Sequence, residues 1–289
     1  MGGTLRITVL GCGSSGGVPR IGPDGPLWGN CDPANPLNRR RRCAILVERR
    51  GAKGTTSVLI DAGPDMREQL IASGAGRLDA VVFTHDHADH CHGIDDLRMV
   101  VINRRARLPA YMDAATERSL RHRFSYVFET PPGSSYPPIL EILPIDGTLS
   151  IPGPGGPVVL RPFSVPHGRA RALGFRIGPL AYAPDISAMT DEAWDAVAGA
   201  DIWLLDALRW RPHESHANVE QAVAWILQAG TPRAYLTNLH TDLDYAQLDA
   251  GTPGHITPAH DGLTFEFPLA EDDGAHGRAD GATTGASAA

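Results

Sequence analysis

The stretch THDHADHCHG, residues 84–93, decides what this chain can fold into and what it can bind. It places four of the chain's 12 histidines and two aspartates directly after the apolar run Ala80–Phe83, which predicts a buried strand. Residues two apart point to different sides of a regular helix, whereas a strand-end loop that turns into a helix can gather them. Imidazole and carboxylate groups bind zinc, manganese and other first-row metals. We therefore predict a metal site that contains His85, His87, Asp89 and His90.

The rest of the chain alternates short apolar runs with segments of helical periodicity. The runs that predict strands are Leu5–Leu10, Ser57–Ile60, Ala80–Phe83, Val158–Val165, Leu180–Ala183, Ile202–Leu205 and Ala234–Leu236. The segments that predict helices are Pro64–Ser73, Ile94–Asn103, Ala114–Phe124, Thr190–Val197 and Ala217–Gln228. This alternation predicts an α/β layered fold. Ligand sites in such sheets form beyond the carboxyl ends of strands, and these polar residues stand there: His167, Asp185, Asp206 and His240.

Composition limits the classes of protein that the chain can represent. Hydrophobic residues make up 42% of the 289 residues, and the net charge of −7 disfavours a general nucleic-acid surface. The cysteines form no CxxC pair, the amino-terminal residues do not resemble a signal peptide, and no apolar run is long enough to span a membrane. We expect a cytoplasmic protein with one domain over residues 1–270 and a disordered tail over residues 271–289.

The number of metals depends on how many of these residues are ligands. The four ligand-type residues between His85 and His90 could fill one mononuclear site, which would leave the later strand-end residues unexplained. Two metals that share a carboxylate would use seven residues, because His167, Asp185 and His240 join the first four.

The pattern Thr84-His85-x-His87-x-Asp89-His90 resembles the signature of the metallo-β-lactamase superfamily. A lone histidine, a strand-end aspartate and a final histidine follow in the same order as in that superfamily, and the resemblance extends over residues 4–267. It implies an αββα sandwich of two mixed β-sheets flanked by helices. It also implies that Asp61 supports the site without binding metal. The implied ligands are His85, His87 and His167 for one metal, Asp89, His90 and His240 for the other, and Asp185 for both.

Other features resemble one group in this superfamily, the phosphodiesterases of the carbon–phosphorus lyase pathway, which open 5-phosphoribosyl 1,2-cyclic phosphate. These features are the glycine-rich GCGSSGGVP, the arginine-rich loop before Cys43, and the sequence HESH that ends at His216. His216 stands where that group has a catalytic histidine outside the metal ligands. That group also holds a structural zinc in a cysteine-rich loop, whereas the loop here has only Cys31, and Leu243 stands three residues after His240. We therefore predict no structural zinc.

The resemblance implies a dinuclear metal-dependent phosphodiesterase for a small cyclic or nucleotide-like phosphodiester, such as 5-phosphoribosyl 1,2-cyclic phosphate. Two divalent ions, Zn²⁺ or Mn²⁺, would hold a bridging hydroxide that attacks phosphorus in line. His216 would protonate the leaving oxygen, and Asp89 would orient the nucleophile. The expected partner is this small substrate, with no nucleic acid and no membrane, and relatives imply a homodimer.

Three other functions share these residues. A tRNA 3′-processing endonuclease has the same ligands, but such enzymes usually grip RNA with a long Gly/Pro-rich arm, and this acidic sequence has no convincing one. A thioester, lactone or β-lactam hydrolase is disfavoured by the resemblance around His216. A non-catalytic metal-binding protein on the same fold is disfavoured because all seven ligand positions are kept.

Three further features have simple interpretations. Gly11–Gly16 matches the GxGxxG dinucleotide pattern, but the next residues make a poor helix, so we interpret it as a tight glycine turn. Arg39–Arg42 could contact phosphates, and we interpret it as a solvated loop. Asp86 is placed outside the metal ligands, and Cys91 and His92 are expected to pack against the next helix or to cap it.

Overall fold

The structure is a computed structural model that describes residues 3–269, so the predicted tail over residues 271–289 lies outside the described residues. Two sheets of seven strands face each other, and helices cover their outer faces. The αββα sandwich expected from the sequence is confirmed. Within residues 3–269, no helix is both long and apolar enough to cross a bilayer.

The secondary structure of the described residues is numbered in chain order. The strands are β1 (Thr4–Gly11), β2 (Arg20–Gly22), β3 (Gly25–Leu27), β4 (Ala44–Gly51), β5 (Gly54–Ile60), β6 (Ala80–Val82), β7 (Leu108–Met112), β8 (Leu140–Pro144), β9 (Leu149–Ile151), β10 (Val158–His167), β11 (Ala170–Ile177), β12 (Leu180–Ala183), β13 (Ile202–Asp206), β14 (Arg233–Thr237), β15 (Ile256–Pro258) and β16 (Thr264–Pro268). The helices are α1 (Met66–Ser73), α2 (Ala88–Cys91), α3 (Leu97–Arg104), α4 (Ala114–Arg123), α5 (Ser125–Phe128), α6 (Asp191–Val197), α7 (Val219–Ala229) and α8 (Tyr245–Gly251). Short 3₁₀ turns cover Pro36–Asn38 and Ile94–Asp96.

Both sheets are mixed, and their parallel halves position the site. The first sheet has the order β16-β1-β4-β5-β6-β7-β8 and is parallel from β5 to β8. The second has the order β15-β14-β13-β12-β11-β10-β9 and is parallel from β12 to β15. In the second sheet Ala183 pairs with Leu205, and Asp206 pairs with Thr237, so the carboxyl ends of β12, β13 and β14 meet at one edge.

The core lies in three layers, as the amphipathic faces of these strands require. Between the sheets, residues of the first sheet such as Ile7 and Val47 pack with Phe175 and Leu204 of the second, and all four are fully buried. The outer faces pack against helices in two further clusters. This central layer holds the two sheets together and brings the loops at their carboxyl edges within reach of each other.

Candidate metal centre

The loop that follows β6 carries four of the predicted ligands. It turns into the short helix α2 at His87, whose backbone is extended, so His85 and His87 precede the helix and Asp89 and His90 lie within it. The backbone of α2 lies against residues 61–63: Ala62 N donates to His90 O at 2.8 Å. Gly63 is required there, because an added Cβ would lie 1.9 Å from Asp89 O.

Four side chains from both sheets form one cluster that can hold a metal ion. Their ligand atoms all lie within 4.8 Å of one another, and the cluster contains His85, His87, His167 and Asp185. His167 Nε2 lies 3.0 Å from His87 Nδ1, and Asp185 Oδ2 lies 3.3 Å from His167 Nε2 and 3.5 Å from His85 Nε2. Ligands around a tetrahedral zinc with bonds of about 2.0–2.1 Å are separated by about 3.3 Å, so these distances fit one shared ion.

A second group lies on the other side of Asp185. His90 Nε2 is 3.3 Å from Asp185 Oδ1 and 3.4 Å from Asp89 Oδ2. The two carboxylate oxygens of Asp185 therefore face different histidine groups. This arrangement agrees with the bridging position that the sequence resemblance implies for Asp185.

Two buried histidine nitrogen atoms in the site have no hydrogen-bond partner among the described residues. They are His85 Nε2 and His90 Nε2, and both point toward Asp185. Burial lowers the pKa of His85 well below its usual value, which keeps the imidazole neutral and its lone pair free. Because an unpaired buried nitrogen is costly, these atoms fit a bound metal ion.

Neighbouring groups hold the Nδ1 atoms of His85, His90 and His167, and the Nε2 atoms of the same rings face Asp185. Asp61 Oδ2 lies 2.7 Å from His90 Nδ1, and Ser215 O lies 2.6 Å from His167 Nδ1. Thr84 Oγ1 is 2.9 Å from His85 Nδ1 and 2.8 Å from Asp61 Oδ2. Because Thr84 donates its only hydrogen to Asp61, it accepts from His85, which leaves His85 Nε2 unprotonated.

Asp61 has the supporting position that the resemblance implies. Its backbone lies in the left-handed region with φ of 67°, and its carboxylate accepts from both Thr84 N and Thr84 Oγ1. Burial raises the pKa of Asp61, although His90 and Thr84 oppose this effect. One buried carboxylate therefore orients two of the predicted ligands, His90 directly and His85 through Thr84.

His240 follows β14 and is the predicted ligand that lies apart from these groups. Its Nδ1 is 2.8 Å from Asp242 Oδ1, so its Nε2 is the atom left for a metal. Among residues 3–269, no hydrogen bond joins His240 to the other six predicted ligands. The structure places His240 on the same edge of the second sheet, beside the glycine-rich loop, where Leu239 O accepts from Ser14 N at 3.2 Å.

His216 lies beside the metal cluster and is held by a buried carboxylate. Its ring centroid is 4.6 Å from that of His167, and its Nδ1 is 2.9 Å from Asp206 Oδ2. Burial alone would lower the pKa of His216, but Asp206 outweighs it and raises the pKa to about 9. The ring is therefore a protonated, partly exposed donor at neutral pH, 15% accessible at the side chain.

The structure also brings to the site residues to which the sequence analysis assigned no role. Asn238 Nδ2 lies 3.2 Å from Asp185 Oδ1, and Ser215 and Asp242 fix the rings of metal-facing histidines. The ring of His213 lies 5.1 Å from that of His216. The weak signal was their position, because each lies within three residues of a predicted site residue, at the end of a strand or in the loop after it.

The structure also tests the simpler interpretations of Gly11–Gly16, Asp86, Cys91 and Arg39–Arg42. Gly11–Gly16 leads into a hairpin and not a helix, as expected of a glycine turn. Asp86 bonds Ser119 and Arg123 and faces away from the cluster, and Cys91 is buried and bonds two carbonyls of its own loop. The interpretation of Arg39–Arg42 as a solvated loop is wrong for Arg40, which is 2% exposed because its guanidinium lies among buried acceptors.

The model of the family described as the beta-lactamase superfamily domain matches residues 56–238. This range is more than half of the chain and contains all the predicted metal ligands except His240. The chain belongs to the metallo-β-lactamase superfamily.

Among superfamily members of known structure, a protein described as a new diphosphatase from the PhnP family is 35% identical to this chain. It superposes with a TM-score of 0.80, over 92% of this chain and 98% of its own. An octanoyltransferase of Porphyromonas gingivalis is 33% identical over 264 residues, which are 90% of this chain but 51% of that protein. The chain thus spans about half the length of that relative. Coenzyme PQQ synthesis protein B of Xanthomonas campestris pv. campestris is 26% identical over 318 residues, 91% of this chain and 100% of that protein.

Three findings together indicate the kind of activity. They are membership of the superfamily, similarity to a PhnP-family diphosphatase and the His/Asp cluster. This superfamily member is a metal-dependent hydrolase, close to the PhnP family. The same findings imply that it binds divalent metal.

Proposed function

We propose that the chain is a dinuclear metal-dependent phosphodiesterase that hydrolyses a small cyclic or nucleotide-like phosphodiester, such as 5-phosphoribosyl 1,2-cyclic phosphate. The position of Asp185 carries this proposal. Its Oδ2 faces His85 and His167, and its Oδ1 faces His90 at 3.3 Å. A carboxylate whose oxygens face two separate histidine groups suits a pair of divalent ions.

Each ion would have its own set of protein ligands. When bound, the ions lower the pKa of water and withdraw charge from phosphoryl oxygens. Zn²⁺ and Mn²⁺ both accept mixed imidazole and carboxylate ligands. The ligands would be His85, His87 and His167 for one ion, Asp89, His90 and His240 for the other, and Asp185 for both.

Two side chains would move or orient protons. His216, held by Asp206, would donate a proton to the oxygen that leaves phosphorus. Burial alone would raise the pKa of Asp89, but His90 outweighs it, so this carboxylate is ionised at neutral pH. Asp89 would accept a hydrogen bond from the attacking water and so direct it toward phosphorus.

The nature of the relatives supports a phosphorus-containing substrate. The PhnP-family relative, at 35% identity, is a diphosphatase, which makes cleavage of a phosphoanhydride a second candidate activity. Both reactions expel an oxygen from phosphorus and need the same charge stabilisation. The net charge of −7 favours a small substrate over tRNA, because RNA binding depends on many basic contacts.

A substrate panel tests this proposal. Chain reconstituted with Zn²⁺ or Mn²⁺ is assayed for kcat/KM on 5-phosphoribosyl 1,2-cyclic phosphate, on a nucleoside diphosphate and on a tRNA precursor. We expect turnover of the cyclic phosphodiester. Turnover of the diphosphate alone would select the second candidate, and cleavage of the tRNA alone would contradict both.

A further inference from the structure

Residues 30–40 contact the turn over residues 240–244 at several points. Three consecutive contacts reach its carbonyl oxygens from that segment: Asn30 N donates to Thr241 O at 2.8 Å, and Cys31 Sγ donates to Thr241 O and Leu243 O at 3.4 Å. Arg40 Nη1 donates to His240 O at 3.4 Å. The His240 backbone is therefore held on two sides, since its carbonyl accepts from Arg40 and its N–H donates at 3.0 Å to Leu208 O, just after β13.

Arg40 is the central residue of this contact. Its side chain is 2% exposed, and among the described residues it forms no ion pair with a carboxylate. Its guanidinium instead lies against neutral groups, with Nη2 3.1 Å from Asn38 Oδ1 and Nη1 3.9 Å from Cys31 Sγ. Burying a guanidinium is costly, so the acceptors that it does bind are expected to matter to the fold or the site. Arg40 Nη1 and Nη2 have such acceptors, whereas its buried Nε has no hydrogen-bond partner among the described residues.

The network continues from Arg40 to the other end of the turn. Asn38 accepts from Tyr245 N at 2.8 Å and donates to Asp244 Oδ2 at 2.6 Å. Asp244 also accepts from Asp32 N and from Gln247 N, where it caps α8. Both ends of residues 240–244 are thus fixed by the pair Asn38 and Arg40.

The backbone of Arg40 ties the same turn to the glycine-rich loop. Arg40 N donates to Val18 O, and Val18 N donates to Arg40 O, each at 2.9 Å. Ser14 N in turn donates to Leu239 O at 3.2 Å. Residues 14–18, 40 and 239–244 therefore form one hydrogen-bonded unit that ends at His240.

We propose that Arg40 is a positioning residue that holds the His240 turn and thereby sets the affinity of the second metal site. This inference rests on the proposed dinuclear function, in which His240 binds the second ion. Asp242 fixes the His240 ring, but the ring can face the ion only if the backbone beneath it stays in place. Arg40 supplies that support to the His240 carbonyl. A merely structural role would weaken both metal sites alike, whereas a positioning role weakens one.

The test is a Zn²⁺ titration of the full chain against a chromophoric chelator, with metal content measured separately. The variants are Arg40→Met, Arg40→Gln, Arg40→Lys, the reference His240→Ala and the matched control Arg39→Met. Arg39 is exposed, and its guanidinium lies 5.3 Å from the Trp28 ring, so its loss removes the same charge outside the network. The unfolding temperature of each metal-free variant reports its fold.

We expect wild-type chain and Arg39→Met to bind two Zn²⁺, and His240→Ala to lose the weaker one. In Arg40→Met the Kd of the second ion should rise about 10–100-fold while the Kd of the first stays unchanged. Arg40→Lys, which can still donate to the His240 carbonyl, should restore part of that affinity.

Other results separate failure of this inference from failure of the proposed function. Two ions bound by Arg40→Met with wild-type affinities, or equal weakening of both ions, would overturn the positioning role alone. A single ion in saturated wild-type chain would overturn the dinuclear function and this inference with it. If Arg40→Met does not fold, Arg40→Gln decides, because its shorter side chain cannot reach the His240 carbonyl, and a wild-type second Kd in that variant would overturn the proposal.

Discussion

At the scale of single residues, the site depends on how the rings are held as much as on the ligands. Thr84, Ser215 and Asp61 each occupy the Nδ1 of one histidine and leave its Nε2 directed inward. The ligands could be predicted because the motif concentrates them. The groups that hold them could not, because a backbone carbonyl such as Ser215 O leaves no trace in the sequence.

Asp61 is the residue whose loss should most weaken metal binding without removing a ligand. Asp61→Asn keeps the volume but loses the charge that holds His90 and, through Thr84, His85. Metal affinity should fall about 10–100-fold, measured by chelator competition. Asp86→Asn is the control, because Asp86 lies in the ligand loop but bonds Ser119 and Arg123. Equal affinities in the two variants would contradict this role.

His216 should affect turnover and leave metal binding unchanged. In His216→Ala, kcat should fall about 10²–10⁴-fold, the usual contribution of general acid–base catalysis. Metal content, measured on the same sample, should stay that of the wild type. Loss of metal in parallel with activity would mean that His216 is a ligand or a structural residue.

The pair of His216 and Asp206 gives a pH dependence with a definite sign. The Asp206 carboxylate raises the pKa of His216, so the proton donor is present at low pH and lost as pH rises through that pKa. Asp206→Asn removes the charge and lowers the pKa of His216. The alkaline limb of the kcat profile should therefore move to lower pH in this variant. An unmoved limb would show that another group titrates there.

At the scale of secondary-structure elements, the strand ends carry the function. The predicted strands and helices are all present within a few residues, because their apolar runs face a core on one or both sides. Three interior strands were missed, namely β4, β7 and β11, together with the edge strands β8, β9, β15 and β16. In β4 (Ala44–Gly51) the charged residues 48–50 follow the short apolar run Ala44–Val47, and β11 (Ala170–Ile177) has arginines at positions 171 and 176, so neither strand is apolar over its full length. The exposed hairpin of β2 and β3 has no apolar period at all.

Helix α7 illustrates how an element next to the site is secured. Asn218 caps it, with its side chain accepting from Gln221 N and the Gln221 side chain accepting from Asn218 N. Asn218→Ala should lower the free energy of unfolding by about 0.5–2 kcal/mol. Asn218→Ser keeps a capping oxygen and should lose less, as chemical denaturation of both variants can show. Equal losses would contradict the capping role.

At the scale of the whole molecule, the metal cluster joins the two sheets. His85 and His90 come from the loop after β6 in the first sheet, whereas His167 and Asp185 come from the second. The sequence predicted this convergence from the order of strand ends. It could not show which arginine of Arg39–Arg42 is buried, because four identical residues in a row carry no pattern and only the packing of distant segments separates them.

Because the ligands come from both sheets, metal should stabilise the entire fold. When the free Zn²⁺ concentration is about 100 times the Kd, binding at one site raises the free energy of unfolding by about 2.7 kcal/mol. Removal of metal by a chelator should therefore lower the Tm of the wild-type chain, measured by calorimetry. The Tm of Asp185→Asn should change much less on chelation, since the affinity of this variant for metal is already reduced. An unchanged Tm of the wild type on chelation would contradict a cluster that joins the sheets.

In the proposed reaction, a metal pair held around Asp185 hydrolyses a small phosphodiester. Its most direct test is the rate of hydrolysis of 5-phosphoribosyl 1,2-cyclic phosphate by wild-type chain and Asp185→Asn, before chelation, after chelation and after Zn²⁺ or Mn²⁺ is restored. We predict that wild-type activity disappears with the metal and returns with it, and that Asp185→Asn stays inactive throughout. Activity that survives chelation, or that persists in Asp185→Asn, would contradict hydrolysis by a metal pair around Asp185.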